Sequence, residues 1–493
     1  MEAAIRSDIP TYAGGLGVLV GDKIKAARDM GVEAEVVTFA YPFGYVRHVI
    51  EDGEIRAEPE PYEPEKVFQI FDEREINLGG EKVHVKILRG ERSWLIESEI
   101  AKRLYIEEEP VERLKKEILL GKVAAQIFLE NNFEVLHVEE SHAAFAAYEV
   151  KKAKQETRIV FTTHTPLPYG HETWGGDVLQ RFYPELGETN MTKLAIANAN
   201  FVNCVSRMHC EVMREFLEGR TDYITNGVHA SWMQSALREK IAACGCDPLE
   251  APEKLVYAGN LEWEELREAK LRAKEELVRE VNEHAFKNAE FASDAFTVGI
   301  ARRFSPYKRV DLLARNLFRL ESLASNKPLQ IVFAGVSHPR DSAGMEMVRR
   351  VVEAVKRAKY TRIAYFPYYN VSLAAKIIGG CDLWINIPRE EQEACGTSWM
   401  KAMLNGCVLV STRAGGVPEA AIHGFNSLLI PRALEEDQVR ELFAHLKRML
   451  YSYYDAEREF YEIARNAVAS SASLTARRMM MEYVRRAYGK SYK

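Results

Sequence analysis

The chain has 493 residues, of which 47% are hydrophobic and 28% are charged, as is typical of soluble globular proteins. This length exceeds what one hydrophobic core usually serves, so we expect at least two domains. The sequence lacks an uninterrupted apolar run of about 18 residues, which argues against a membrane span. The formal net charge of −6, with acids and bases mixed throughout, argues against a nucleic-acid partner.

The first residues and the cysteines predict the compartment. Residues 1–8 lack a basic segment followed by an apolar one, which argues against secretion. The seven cysteines are scattered, and Cys244 and Cys246 have the wrong spacing for a paired zinc knuckle. We therefore predict a cytoplasmic protein with free, mostly buried thiols and no metal site.

The first half of the chain alternates strand patterns with helix patterns. The glycine turn that contains Gly14 and Gly15 precedes a helical pattern over residues 18–30. Residues 51–91 read as an irregular insertion with one β pattern. Buried-strand patterns cover residues 34–39, 133–138, 158–164 and 201–206. This alternation predicts a parallel sheet whose functional residues lie just beyond the strand ends, where His164 and Asn226 fall.

A charged helical pattern separates this half from a second alternating half. Residues 261–288 are rich in Glu, Lys, Arg, Ala and Leu, which predicts a long exposed helix. Strand patterns then restart over residues 296–301, 330–335, 362–366, 383–387 and 408–411. We predict an α/β fold with two doubly wound domains facing a deep cleft. The expected divisions are domain 1–255, helical linker 256–292, domain 293–465 and a C-terminal helix 466–493 that partly packs back on the first domain.

A cluster of cations follows the strand pattern that ends at Ala301. The segment from Arg302 to Arg309 holds four cations and Tyr307 within eight residues. Crowded like charges repel one another unless an anion offsets them, so we predict binding of one or two phosphates. The alternative is an exposed charge cluster.

A second candidate segment runs from Glu393 to Gly406, after the strand pattern at 383–387. Gly396, Thr397 and Ser398 form a small-residue turn before a short helix, which favours contact between backbone N–H groups and a phosphate. Lys401, one turn later, could hold an aldehyde cofactor as a Schiff base, or could be an ordinary exposed lysine.

Three polar residues also have two interpretations each. His164 could bond a sugar hydroxyl or be a structural histidine. Asn226 could contact a substrate or merely form a turn. Glu393 could accept a hydroxyl or be an ordinary loop carboxylate.

Six segments, in this order, resemble the signature blocks of the α-glucan phosphorylases, the glycogen and maltodextrin phosphorylase family, here in a short form. They are Thr11–Gly17, Thr162–Pro166, Ile224–Val228, Ala301–Arg309, Tyr369–Ala374 and Glu393–Gly406. The last is the most specific, because in that family it surrounds the lysine that carries pyridoxal phosphate. Two positions differ from the family pattern: Ala13 stands where a polar residue is usual, and Trp399 replaces a smaller residue.

The resemblance implies a role for each candidate residue. Lys401 would carry pyridoxal 5′-phosphate, and the residues around the cofactor phosphate would be Arg302, Gly396 and Thr397. The groups around orthophosphate would be Arg303, Lys308, Gly14 and Gly15. The residues next to the transferred glucosyl unit would be His164, Asn226, Tyr307 and Glu393.

The resemblance also implies the fold and the reaction. The fold would be of the GT-B type, with two Rossmann-like domains, and the enzyme would commonly be a homodimer. It would cleave α-1,4-glucan or maltodextrin ends with orthophosphate, giving α-glucose 1-phosphate with retention of configuration. The cofactor phosphate would exchange a proton with orthophosphate. Lys401, Arg303, Lys308 and His164 would be the catalytic residues.

Two other functions compete with this interpretation. The segment Ala414–Glu419 is similar to retaining nucleotide-sugar glycosyltransferases of the glycogen synthase type, which need no pyridoxal phosphate. Those enzymes place two glutamates eight positions apart, whereas this chain has Glu393 followed by Lys401. A lysine cannot accept hydrogen bonds from a ribose diol, which argues against them. A non-catalytic sugar-binding protein would not need the cations of Arg302, Arg303 and Lys308.

Overall fold

Two compact units make up the chain in the computed structural model, which describes residues 1–51, 54–220, 222–245 and 247–489. The first unit comprises residues 1–45, residues 59–226 and the chain from Met479 onward. The second comprises residues 46–58 and 227–478. The sequence placed the first division at residue 255, whereas the units divide after Asn226.

Backbone contacts explain this earlier division. The N–H of Val228 donates to the carbonyl of Leu474 at 2.8 Å, and the N–H of Ala476 donates to the carbonyl of Val228 at 2.8 Å. A side chain on Gly227 would stand 2.3 Å from the carbonyl oxygen of Thr475. The chain therefore joins the second unit as soon as it leaves the strand and turn that end at Asn226.

The first unit contains a parallel sheet of four strands and a mixed sheet of four strands. The parallel sheet has the spatial order Asp222–Tyr223, Phe201–Cys204, Arg158–Thr162 and Val135–Glu139. The mixed sheet has the order Val36–Phe39, Ser93–Glu97, Glu81–Gly90 and Gln69–Leu78. A short antiparallel pair joins Thr173–Trp174 to Thr189–Asn190. Much of the segment that the sequence left irregular, residues 51–91, is thus antiparallel β structure, whose edge strand shows little apolar periodicity.

Helices and helical turns connect the strands of the first unit. The helix Pro110–Glu130 begins with a proline and with a capping box formed by Glu109 and Glu112. The other helices and helical turns are Gly15–Asp29, Pro64–Val67, Glu99–Ala101, Ser141–Ala143, Ala144–Ala153, Pro168–Gly170, Gly176–Leu179, Met191–Asn198 and Arg207–Met213.

The C-terminal residues complete the first unit. A helix spans Ala476–Glu482, and a π-helical turn spans Tyr483–Ala487. The hydroxyl of Tyr488 lies 2.9 Å from Nδ1 of His137, and the guanidinium of Arg158 donates to the carbonyl of Ala487 at 2.7 Å. Residues 490–493 of the expected C-terminal helix lie outside the described residues.

The second unit is built on one sheet of seven strands. Its spatial order is Phe286–Lys287, Arg362–Phe366, Leu329–Ala334, Phe296–Ala301, Leu383–Asn386, Val408–Thr412 and Ser427–Ile430. The first strand is antiparallel and the other six are parallel. Four of the central strands are fully buried, so their near-continuous apolar sequences fit a sheet covered on both faces. The mixed α/β class predicted from the alternation is confirmed.

Helices surround this sheet. The long charged pattern forms the helix Trp263–His284, which starts at a capping box between Glu262 and Glu265. The others are Ser235–Ala243, Leu312–Arg315, Leu317–Ala324, Ser342–Arg357, Val371–Gly380, Ser398–Leu404, Glu435–Asp455 and Glu457–Ser470. Short 3₁₀ turns span Ala230–Trp232, Pro252–Asn260, Pro306–Lys308, Glu390–Gln392, Val417–Glu419 and Ser471–Leu474. Among the described residues, none of the helices is long and apolar enough to cross a membrane.

A hairpin from early in the chain also belongs to the second unit. Its strands are Arg47–Glu51 and Glu54–Glu58. The N–H of His48 donates to the carbonyl of Pro367 at 2.7 Å, and Nδ1 of His48 lies 2.9 Å from the hydroxyl of Tyr365. Burial lowers the pKa of His48 to about 4, so a neutral imidazole completes the core of this unit.

The cysteine side chains are mostly inside the two units. Five thiols are free and buried, those of Cys204, Cys210, Cys381, Cys395 and Cys407, and the free thiol of Cys244 is exposed. Cys246 lies outside the described residues.

A buried ion pair joins the long helix to the seven-stranded sheet. The ammonium of Lys274 lies 2.5 Å from the carboxylate of Asp382, and their side chains are 1% and 0% exposed. Tyr453 and the carbonyl of Ala295 also contact the ammonium, at 2.9 and 3.1 Å. Asp382 accepts the N–H of Thr297 at 2.8 Å, so its charge holds the starts of two neighbouring strands.

We expect Lys274→Met to destabilise the protein by about 3–5 kcal/mol, because it leaves the carboxylate of Asp382 buried without a counter-charge. Urea unfolding of the variant measures this loss. Lys376→Met is the matched control. Lys376 is 40% exposed and pairs with Glu280, which lies on the same helix as Lys274. A Lys274→Met midpoint as high as that of the control would contradict the prediction.

Candidate active site

Two neighbouring strands of the second unit bring the predicted cation and glutamate segments together. Strands Phe296–Ala301 and Leu383–Asn386 are parallel partners, with Val298 opposite Leu383. The loops that follow them therefore emerge at the same edge of the sheet. The N–H of Arg389 donates to the carbonyl of Tyr307 at 2.8 Å, which fastens one loop to the other.

Glu393 is the centre of this cluster. Its Oε2 lies 2.7 Å from Nζ of Lys308 and 3.6 Å from Nη2 of Arg302. All three side chains are largely buried, with exposures of 9% for Glu393, 13% for Lys308 and 9% for Arg302. The ammonium of Lys308 also lies 4.7 Å from the centre of the Tyr307 ring. The structure thus brings four of the predicted site residues, Arg302, Tyr307, Lys308 and Glu393, into one charged group.

Burial and charge act in opposite directions on these residues. Burial lowers the pKa of Lys308 to about 8, although the carboxylate of Glu393 opposes this effect. Burial alone would raise the pKa of Glu393, but the charges of Lys308 and Arg302 keep it below its usual value. The pKa of Tyr307 is raised, chiefly by burial and then by Glu393, while Arg303 opposes the rise by its charge and by a hydrogen bond. Lys308 is therefore a cation that loses its proton unusually easily.

Arg309 does not belong to this charged group, although the sequence counted it among four clustered cations. It lies in the left-handed region with φ of 50°, which turns its side chain away from the direction of its neighbours. Its guanidinium donates to the carbonyl of Ile387 at 2.7 Å and to the side chain of Gln438 at 2.7 Å. Arg309 therefore fixes the loop, and Arg302, Arg303 and Lys308 remain as candidate anion ligands.

The turn at Gly396 lies against Arg302. A side chain on Gly396 would stand 3.2 Å from Nη2 of Arg302 and 3.5 Å from the carboxyl carbon of Glu393. Among the described residues, three buried polar atoms here have no hydrogen-bond partner: Nη1 of Arg302, Oγ of Ser398 and Nε1 of Trp399. Unpaired buried donors are costly unless an acceptor binds them, so Nη1 of Arg302, which lies beside the turn, suits an oxyanion such as a phosphate.

Lys401 is buried on the helix Ser398–Leu404, one turn after Thr397. Its backbone N–H donates to the carbonyl of Thr397 at 3.2 Å. Its Nζ lies 3.8 Å from the centre of the Trp232 ring, and Trp232 is itself buried. The interpretation of Lys401 as an exposed surface lysine is therefore wrong: it is 5% exposed.

Asn405 holds Trp232 beside this lysine. Its side chain donates to the carbonyl of Trp232 at 2.9 Å and accepts the N–H of Gln234 at 2.9 Å. Trp232 could not be found from the sequence, because its contact with Asn405 joins residues 173 positions apart and leaves no local pattern.

His164 lies in the first unit beside a carboxylate that the sequence analysis also missed. Strands Val135–Glu139 and Arg158–Thr162 are parallel partners, with Glu139 opposite Thr162. His164, which follows the second strand, has Nε2 at 2.7 Å from Oε2 of Glu139. The backbone N–H of His164 donates to Oε2 of Glu140 at 2.8 Å. The available signal in the sequence was the pair of adjacent glutamates at the end of a strand pattern. His164 follows the next strand pattern, so a parallel pairing of the two strands would bring these residues together.

The glycine turn contacts a different carboxylate. Gly14 precedes the helix Gly15–Asp29. The N–H groups of Ala13 and Gly14 donate to Oε2 of Glu2 at 2.6 and 3.0 Å, so this turn does present backbone donors to an anionic oxygen. Lys23, on the helix that follows Gly14, pairs with Glu139. Glu139 in turn contacts His164.

Asn226 lies beyond the end of the strand Asp222–Tyr223. It is buried, and its N–H donates to the carbonyl of Val205 at 3.2 Å. The strands that precede Asn226, Val205 and His164 are neighbours in one parallel sheet. Asn226 and His164 therefore follow strands of the same sheet. They are separated by the strand Phe201–Cys204.

Two family models match different parts of the chain. A carbohydrate phosphorylase model matches residues 185–430, which include the Arg302 and Lys401 segments. A model of the starch synthase catalytic domain matches residues 9–226, nearly all of the first unit before its C-terminal return.

The chain is also similar to curated proteins over its whole length. It is 30% identical to the maltodextrin phosphorylase of Thermococcus litoralis, a similarity that covers 100% of this chain and 70% of that protein. It is 29% identical to the glycogen phosphorylase of Aquifex aeolicus, covering 100% of this chain and 86% of that protein. An uncharacterized protein of Methanocaldococcus jannaschii is 26% identical, with 99% of this chain and 98% of that protein covered.

We expect the second unit's cation cluster to bind sulfate, and this binding to weaken as the pH rises above about 8. Lys308 must be protonated to hold the anion, and the low pKa of its ammonium means that binding above this pH requires proton uptake. The affinity should fall by up to about tenfold per pH unit. Calorimetric titration between pH 7 and 10 measures it, because the charge of sulfate is constant there.

Lys308→Arg is the control for this titration. The guanidinium keeps its charge throughout the range, so the affinity of the variant should be nearly independent of pH. A wild-type affinity that is equally flat would contradict the assignment of Lys308 as the titrating ligand.

Proposed function

The chain belongs to the carbohydrate phosphorylase family, and from this premise we propose that it cleaves α-1,4-glucans with orthophosphate, giving α-glucose 1-phosphate with retention of configuration. The names of the relatives support the reaction. The observation that carries the proposal is the group of Arg302, Lys308 and Glu393 beside the Gly396 turn, with Lys401 one helical turn later. Such a group can hold two anions close together, as phosphorolysis with a phosphate-bearing cofactor requires.

The cofactor of this proposal is pyridoxal 5′-phosphate. Lys401 would hold its aldehyde carbon, and Arg302, Gly396 and Thr397 would hold its phosphate. The unpaired Nη1 of Arg302 supports this assignment, because a buried guanidinium donor suits a phosphate oxygen. When bound, the cofactor supplies a phosphate that exchanges a proton with the substrate phosphate.

Lys308 and Arg303 would bind orthophosphate. In the structure the ammonium of Lys308 already neutralises the carboxylate of Glu393. We propose that this contact is loosened when phosphate binds, since the dianion is the stronger partner for the ammonium. Glu393 could then accept a hydrogen bond from a sugar hydroxyl, and the cations would lower the repulsion between two adjacent phosphates.

The remaining predicted residues would bind the rest of the substrate. The Gly14 and Gly15 turn would present backbone N–H groups to orthophosphate, and His164, Asn226 and Tyr307 would lie along the glucosyl unit. Glu139 supports this role for His164, because it provides the ring with a fixed partner. The GT-B arrangement of two Rossmann-like domains with a deep cleft and a homodimeric assembly are further parts of this proposal.

A retaining nucleotide-sugar glycosyltransferase is the second candidate. The starch synthase match over residues 9–226 favours it, as does the segment Ala414–Glu419. Gly415 of this segment has φ of 56° and packs against the carbonyl of Ala394, so the segment adjoins the loop of Glu393. Lys401, which can only donate hydrogen bonds, stands where such enzymes need an acceptor for the nucleotide ribose, and this favours the phosphorylase.

Borohydride reduction should attach a pyridoxyl group to Lys401, and peptide mass analysis locates it. Phosphorolysis of maltodextrin is assayed on the same protein. Lys376→Ala should keep the cofactor, because this lysine is on the surface and pairs with Glu280. A protein that contains no pyridoxal phosphate and instead transfers glucose from a nucleotide sugar would favour the second candidate.

We expect Lys308→Ala to lower phosphorolysis by at least about a hundredfold while pyridoxal phosphate stays bound. The reason is that the proposal assigns Lys308 to orthophosphate and Arg302 to the cofactor phosphate. Cofactor absorbance and the rate of phosphorolysis are measured on the same preparation. Loss of the cofactor in Lys308→Ala would mean that the two phosphates have been assigned to the wrong residues.

A further inference from the structure

Three elements of the first unit meet around the carboxylate of Glu139. Lys23, on the helix Gly15–Asp29, is in contact with Oε1. His164, after the strand Arg158–Thr162, lies 2.7 Å from Oε2. His137, on the same strand as Glu139, lies 3.5 Å from Oε1. Each oxygen of the carboxylate therefore has its own partner. These contacts fix the orientation of the carboxylate.

We propose that Glu139 is a positioning residue for His164: its carboxylate holds the imidazole as the Nε2–H tautomer and leaves Nδ1 as an acceptor for a substrate hydroxyl. The identity of that substrate, a sugar, rests on the function proposed above. The positioning of the ring rests only on the geometry of the first unit.

The charge of Glu139 supports this arrangement. Burial alone would raise its pKa, but the charge of Lys23 and the hydrogen bond to His164 keep the pKa well below its usual value. The pKa of His137 is about 3, chiefly because of burial, so His137 is neutral and Lys23 is the permanent counter-charge. Tyr483, from the C-terminal segment, covers this ammonium, with its ring centre 4.2 Å away. An ionised carboxylate only accepts hydrogen bonds, so the nitrogen that faces it must carry the proton.

A second carboxylate holds the backbone of His164. The N–H of His164 donates to Glu140, which itself has φ of 74° and caps the following turn at Ser141. Both ends of the histidine are therefore held by adjacent carboxylates. Among the described residues, Nδ1 of His164 has no recorded partner, whereas Nε2 does. A neutral histidine with Nε2 protonated can only accept at Nδ1.

This arrangement has a consequence for recognition. A sugar hydroxyl that meets His164 must donate its proton to Nδ1, which leaves the hydroxyl oxygen free to accept a hydrogen bond from another group. The negative charge behind the ring also makes Nδ1 a stronger acceptor. Glu139 thus sets the direction of a hydrogen bond that it does not itself make.

Nitrogen-15 NMR of the histidine-labelled full chain tests the positioning directly, without substrate. His164→Gln assigns the His164 signals. The wild type should show protonated Nε2 and unprotonated Nδ1, and Glu139→Gln should show a mixture of tautomers, because an amide can donate or accept. A wild type protonated at Nδ1, or a Glu139→Gln variant with the wild-type tautomer, would overturn the proposal.

The kinetic test uses α-glucose 1-phosphate and its 2-, 3- and 6-deoxy analogues in the direction of glucan synthesis. Glu139→Gln should lower kcat/KM for the parent sugar by about 10- to 100-fold. It should have little effect on the analogue that lacks the hydroxyl bound by Nδ1. An equal loss for every analogue would indicate a merely structural role and would overturn the proposal.

Matched variants separate positioning from stability. Glu35→Gln removes a comparable, partly buried carboxylate that pairs with Arg89, and it should leave kcat/KM unchanged. Lys23→Met, which removes the counter-charge of Glu139, should alter the His164 tautomer. Lys116→Met removes another buried lysine of the same unit, which is paired with Glu107. This variant should leave the His164 tautomer unchanged. If the wild type cannot use α-glucose 1-phosphate, the proposed function fails, while the NMR result still decides whether Glu139 positions His164.

Discussion

The salt bridge between Glu393 and Lys308 is the interaction on which the rest of the second unit's site depends. Three cations follow one strand, and without a nearby negative charge their mutual repulsion and their burial would open the loop. Glu393 supplies that charge from the neighbouring strand, at 2.7 Å from Lys308 and 3.6 Å from Arg302. The site is therefore held together by its own carboxylate, which pairs with two of the three cations.

The first unit uses the same arrangement with different chemistry. Glu139 ends one parallel strand and His164 follows its neighbour, while Glu393 and Lys308 follow neighbouring strands in the second unit. In both places a buried carboxylate stays ionised because partners across the strand ends offset the cost of burial. A parallel sheet makes such pairs possible because its strands deliver their following loops to one edge.

The two family matches overlap within the first unit, over residues 185–226. The starch synthase match ends at residue 226, which is also where the first unit's continuous segment ends. The phosphorylase match covers the cation loop, the Gly396 turn and Lys401. Within that match, Nζ of Lys401 lies 3.8 Å from the centre of the Trp232 ring.

Although most of the antiparallel strands within residues 51–91 were left unassigned, the sequence by itself predicted most strands of the parallel sheets, the long charged helix and the residues at strand ends, because apolar periodicity and turn residues are local properties of the chain. It identified Arg302, Lys308, Glu393 and Lys401 for that reason. Only the tertiary structure decided which strand ends are neighbours, and hence that Glu393 meets Lys308 and that Glu139 meets His164. It also turned Arg309 away, buried Trp232 beside Lys401 and assigned the hairpin of His48 to the second unit. These outcomes depend on sheet order and on contacts between residues far apart in the chain, and local pattern does not encode either.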